Sequence, residues 1–143
     1  MIEKNKSNSR IEESFLEKGI KLTHQRKIIA KVITDSTDHP DANEVFMRAN
    51  KIDNRISLAT VYRTIKLFEE NNVLNRIDLG GKRARYEELT DTHHDHLIDI
   101  ETGDIIEFVD DEIEELQKKV AKKLGYSLID HKMELFGKKI KSN

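Results

Sequence analysis

Between residues 11 and 70 the apolar positions fall at helical spacing in four short blocks, separated by capping residues and breakers. Ile11, Phe15 and Leu16 form the first stripe, which Gly19 ends. Thr23 caps a second helix carrying Ile28, Ile29, Val32 and Ile33, closed by STDHP with the only proline, Pro40. Asp41 and Glu44 have the spacing of a capping box ahead of Val45, Phe46 and Ala49. Ser57 caps the fourth block, Leu58 to Glu70, where Val61, Ile65 and Phe68 share one face and Thr60, Tyr62, Arg63 and Lys66 point elsewhere.

The period then changes. VLNRIDL and RARYEEL alternate like strands on either side of Gly80-Gly81, a tight-hairpin signal. Four short helices followed by a hairpin is the order of a winged helix-turn-helix. Further on, the pattern predicts strand HLIDI, turn ETGD, strand IIEFV, a helix over 111–124 and strand YSLIDHKMELF. Ile113, Leu116, Val120 and Leu124 are the expected buried stripe of that helix, with Gly125 at its end. The predicted fold class is α+β: an N-terminal winged-helix domain over residues 1–86, a hinge over 87–92 and a small C-terminal α/β domain over 93–143.

Charge sharpens this division. The net charge is −2, but residues 1–86 carry 17 Lys+Arg against 12 Asp+Glu, whereas residues 87–143 carry 8 against 15. A basic half suits a polyanion and an acidic half suits cations. The absence of cysteine excludes disulfides, thiolate metal sites and cysteine nucleophiles. No apolar run approaches the roughly 20 residues of a membrane span, and the polar start MIEKNKSNSR lacks a secretory pattern, so no membrane partner and a cytoplasmic location are expected.

In a winged helix-turn-helix the second helix of the motif enters the major groove and the wing reaches flanking backbone. On that helix Arg63 can fork onto guanine or phosphate, Thr60 and Thr64 can bond phosphates, and Tyr62 can meet a thymine methyl. Lys82, Arg83 and Arg85 on the wing supply a phosphate grip, and Lys21, Arg26 and Lys27 add charge upstream.

The metal signal centres on His93-His94-Asp95-His96. Alternation along a strand puts His94 and His96 on one face and His93 with Asp95 on the other, so one strand can serve two ions. Further candidates are His39, Glu87, Glu107 and His131. Glu107, within the apolar run IIEFV, needs a partner to offset desolvation. Glu114 is either a ligand or the end of a capping box with Asp111.

GIKLTHQR, LATVYRTI, GGKRARYE, HHDHLI, IIEFVDDEIE and LIDHKMELFG together resemble the ferric uptake regulator family, in its order and approximate spacing, from about Ile11 to Gly137. The resemblance implies that the C-terminal domain dimerises. It also implies a regulatory site of His39, Glu87, His94, His96 and Glu107 joining the two domains, and a second site of His93, Asp95, Glu114 and His131. Lys21, Tyr62 and Arg63 are its implied DNA contacts. Many members hold a structural zinc with paired cysteines; here the first pair falls at Asp99 and Thr102, so that site is absent, as in cysteine-free members known from some alphaproteobacteria.

The expected function is a homodimeric repressor that binds double-stranded operator DNA, with Fe²⁺ or Mn²⁺ as co-repressor and Zn²⁺ able to substitute. A haem- or manganese-responsive regulator is the alternative within the family. Outside it, a metallohydrolase is the rival, disfavoured by the lack of a separate general base.

Overall fold

The computed structural model describes residues 9–79, 83–89 and 93–141. The chain divides into two compact units, residues 1–90 and 91–143. Among the described residues no helix is long and apolar enough to cross a membrane.

The first unit contains helices α1 (Arg10–Glu17), α2 (His24–Asp35), α3 (Ala42–Ile52) and α4 (Leu58–Glu70), then strands β1 (Leu74–Ile77) and β2 (Arg85–Glu88). Each helix begins where a short polar side chain satisfies an otherwise orphaned N–H. Thr23 accepts from Arg26 N–H and Ser57 from Thr60 N–H. Asp41 and Glu44 form the full reciprocal box. Gly19 takes φ +78°, which lets the chain reverse after α1. Ile11, Phe15, Ile29, Ile33, Val45, Ala49, Val61, Ile65 and Phe68 form one core, with Phe15 and Phe68 rings 5.6 Å apart. Leu16, expected in that stripe, is exposed, because Phe15 and Ile11 already cover the contact.

β1 and β2 pair antiparallel, Leu74 opposite Glu88 and Ile77 opposite Arg85. Strand β2 runs through Glu88, so Glu87 is a hairpin residue and not part of the expected hinge. Gly80 to Lys82 and the segment 90–92 lie outside the described residues.

The second unit has strands β3 (Asp95–Asp99), β4 (Ile105–Phe108) and β5 (Glu134–Gly137), with helix α5 (Asp111–Lys123) between the last two. The sheet order is β4-β3-β5; β4 is antiparallel and β5 parallel to the central strand. Gly103, at φ +80°, completes the β3–β4 turn.

Two expectations are corrected here. Residues 126–133 are not strand; pairing begins only at Glu134, opposite His96. The α5 stripe is not buried within the chain: Leu116 is 62%, Val120 50% and Leu124 70% exposed. Its spacing is amphipathic, but among the described residues nothing of the second unit covers the face it presents.

Candidate metal centres and nucleic-acid interface

On the winged-helix unit, α3 and α4 form the helix-turn-helix. Asn50 Nδ2, donating to the carbonyls of Asn54 and Ile56, holds the turn between them. Asp53, paired with Arg55 through two side-chain bonds and accepting the Arg55 N–H, stiffens it further. The Arg55 guanidinium holds the Asp53 carboxyl down to about 2.

The exposed face of α4 carries Tyr62, half exposed, and Arg63, whose guanidinium reaches Thr60 Oγ1 at 3.5 Å. Thr64 is not on that face. It is fully buried, and among the described residues its hydroxyl has no hydrogen-bond partner, so it does not make the expected phosphate contact. Positions 61, 64, 65 and 68 are the i, i+3, i+4, i+7 set of a single helical stripe, and Thr64 belongs to it.

Lys21 is exposed between α1 and α2, while Arg26 is half-buried in the first turn of α2. Arg83 remains two-thirds exposed, 4.0 Å from Asp41. Arg85 turns inward: its Nε donates to the His39 carbonyl at 3.0 Å, so it serves the loop and not a phosphate. Lys82 lies outside the described residues.

The same unit brings His39 Nε2 within 3.3 Å of Glu87 Oε1, both side chains about nine-tenths buried. His39 sits at φ +52°, a left-handed conformation uncommon for a residue with a Cβ. In the second unit, His94 and His96 rings lie 4.9 Å apart, and His94 Nε2 is 3.7 Å from Glu107 Oε2. His96 is buried. Glu107 is 47% exposed, so its desolvation is slight and does not by itself demand a partner; alternation along β4 turns it away from the apolar residues beside it.

The other face of β3 builds a complete cluster within the second unit. His93 Nε2 and His131 Nε2 are 2.9 Å apart. Asp95 Oδ1 is 3.3 Å from each, and Glu114 Oε2 is 3.2 Å from His131 and 3.9 Å from His93. One ligand atom from each of these four residues lies within 4.8 Å of every other. Asp95 is 1% exposed, and among the described residues neither of its oxygens receives a hydrogen bond; Glu114 Oε2 is likewise buried without one. A buried carboxylate in that condition is costly. A tetrahedral ion at about 2.0–2.1 Å from each donor would space the donors about 3.3 Å apart, close to the distances found. The donor set therefore fits a divalent cation. Glu114 is free for this because the α5 cap is Asp110, which accepts from Glu112 and Ile113 N–H, and not Asp111.

Residues 17–136 match the family model described as the ferric uptake regulator family. The chain belongs to that family. A ferric uptake regulation protein of Rhizobium leguminosarum bv. viciae is 47% identical over 131 residues, covering 92% of each chain. Among solved structures, a zinc-bound manganese uptake regulator is 47% identical, covers 91% of this chain and 98% of its own, and superposes with a TM-score of 0.70. The ferric uptake regulator of Pseudomonas aeruginosa with manganese is 33% identical, with 91% and 98% covered and a TM-score of 0.80. As a ferric uptake regulator family member, the chain is a metal-responsive transcriptional regulator with an α+β fold.

Asp99 and Thr102, where the resemblance places a cysteine pair, form a turn in this family member. Asp99 accepts N–H bonds from Glu101 at 2.9 Å and Thr102 at 3.3 Å, and the Glu101 bond holds its carboxyl below the ordinary range. Two further residues hold the His39–Glu87 pair: Arg85, whose place on the wing suggests a phosphate contact instead, and Asn75, which carries no sequence signal and donates to Glu87 Oε2 at 3.0 Å.

Proposed function

We propose that the chain is a homodimeric repressor of iron or manganese uptake that binds operator DNA when loaded with Fe²⁺ or Mn²⁺, Zn²⁺ being able to substitute. The observation that carries the reading is how the donors are divided. His39 and Glu87 are paired on the unit that carries the recognition helix, whereas His94, His96 and Glu107 gather on the unit that carries α5. One ion taking donors from both sets links the two units. Linking fixes where each recognition helix points, and a two-fold dimer must present two such helices to half-sites about one turn of DNA apart. Metal thus raises the binding-competent fraction and with it the apparent affinity for DNA.

His93, Asp95, Glu114 and His131 form a second, structural site that secures the first turn of α5 and the 126–133 segment to β3. Mixed imidazole and carboxylate donors without thiolate accept several first-row ions, so selection rests on geometry and supply. Lys21, Arg26, Thr60, Tyr62, Arg63 and Arg83 are the DNA contacts of this reading. The exposed α5 face, Leu116, Val120 and Leu124, meets the same face of a second copy in an isologous contact.

The test is a retention assay with duplexes selected from a random pool, run with Fe²⁺, Mn²⁺, Zn²⁺, haem or chelator. Retention with a divalent ion and loss on chelation are expected. Retention that survives chelation, or that needs haem, would overturn the reading.

A further inference from the structure

The His39–Glu87 pair is held by neighbours with no ligand role of their own. Arg85 Nε bonds the His39 carbonyl, and Tyr86 N–H bonds the Pro40 carbonyl at 2.9 Å, which together pin the left-handed His39 against β2. Glu87 is fixed from the other strand. Asn75 lies directly opposite it in the hairpin register, and its Nδ2 donates to Glu87 Oε2 at 3.0 Å. A carboxylate has no proton to give, so the amide must present its NH₂ here. The remaining oxygen, Oε1, is the one that faces His39 Nε2. The two oxygens of Glu87 are thus divided: one bound by Asn75, the other turned toward the histidine. Glu87 is only 12% exposed, so bulk water competes weakly for the Asn75 bond.

We propose that Asn75 is a positioning and selectivity residue that confines Glu87 to binding a cation through Oε1 alone. The inference rests on the reading that His39 and Glu87 ligate the regulatory ion. A carboxylate free to turn can bind through both oxygens and add a ligand, which suits ions of higher coordination number. With one oxygen held back, the five ligand residues of the proposed site supply five donor atoms, one short of the octahedral six that suit Mn²⁺ and within the four to five that Zn²⁺ accepts. Outer-shell partners of metal ligands commonly tune affinity by about 10–100-fold. Asn75 therefore raises the preference of this site for Zn²⁺ over Mn²⁺.

The experiment uses the full chain carrying His93→Ala and His131→Ala, so that only one site titrates, and measures Zn²⁺ and Mn²⁺ affinities by competition with a chromophoric chelator. Adding Asn75→Ala should weaken Zn²⁺ about tenfold and Mn²⁺ distinctly less, shifting the ratio several-fold. Asn75→Val, better suited to a strand, should shift it the same way and serves if the alanine variant unfolds. An equal loss for both ions, or no change, overturns the proposal. His39→Ala in the same background separates the two ideas: if it leaves both affinities intact, the ligand assignment itself has failed. If it abolishes binding while Asn75→Ala leaves the ratio unmoved, only the role of Asn75 is refuted.

Discussion

Replacing Asp95 by Asn should leave the metal-free protein as stable as before, or more so, and remove most of the stabilisation that metal confers through the His93–His131 site. The carboxylate is 1% exposed, among the described residues neither oxygen accepts a hydrogen bond, and Glu114 Oε2 is buried beside the same two histidines. Without a cation this is a desolvated charge next to another; Asn keeps the shape and deletes the charge. With metal at 100 times its dissociation constant, binding adds about 2.7 kcal/mol to folding. Loss of a ligand should cost no less than the roughly 100-fold upper range for an outer-shell partner. At the same metal concentration the variant then retains only about 0.4 kcal/mol. The difference, about 2.3 kcal/mol, corresponds to roughly 10 °C or more in the midpoint of a small domain. Thermal unfolding followed by circular dichroism, with chelator and with Zn²⁺ or Mn²⁺, reads both quantities when the comparison is made in chains that also carry His94→Ala and His96→Ala, so that only this site takes up metal. A variant that is several degrees less stable in chelator, yet keeps the full metal-induced shift, would show that Asp95 is a structural partner of the histidines and refute the cation-site argument.

Arg63→Ala should lower specific DNA affinity by about 1–3 kcal/mol while metal affinity, by equilibrium competition, stays unchanged; parallel loss of both would point to misfolding. Thr64→Val should leave DNA binding intact and keep or raise stability by up to about 1 kcal/mol, since it replaces an unpartnered buried hydroxyl with a methyl; a selective DNA-binding defect in fluorescence anisotropy would return Thr64 to the interface. Asp53 is held well below its usual 3.8, so its contribution is present above about pH 4 and fades as pH falls through about 2. Arg55→Ala should accordingly move acid unfolding to higher pH, whereas an unchanged acid midpoint would show the pair to be idle. Leu116→Glu with Leu124→Glu should turn a dimer into a monomer in sedimentation equilibrium; persistence of the dimer would place the interface elsewhere.

Much of the first unit was legible because its signals are local. Thr23, Asp41 and Ser57 cap helices through bonds to residues three positions on, a relation that sequence spacing alone encodes. Alternation at His93 to His96 was equally local, and the two faces of β3 do hold different histidine sets. The Thr64 hydroxyl suggests a phosphate contact, although its position in the 61, 64, 65, 68 stripe already places it in the core. Asn75 was harder. A two-residue Gly80-Gly81 turn would set it against Tyr86, but the observed register sets it against Glu87, and a one-residue change moves a side chain to the other face. The α5 stripe is apolar as its spacing predicts yet exposed in the single chain, because periodicity reports that a face is to be covered and not by what.

The most direct measurement is a mobility-shift titration of the His94→Ala, His96→Ala double variant against selected duplex, with divalent metal and with chelator. Loss of metal-dependent retention, with the circular dichroism spectrum of the folded chain preserved, is the predicted result. Retention that still rises with metal as it does in the unsubstituted protein would contradict a regulatory ion held by these histidines.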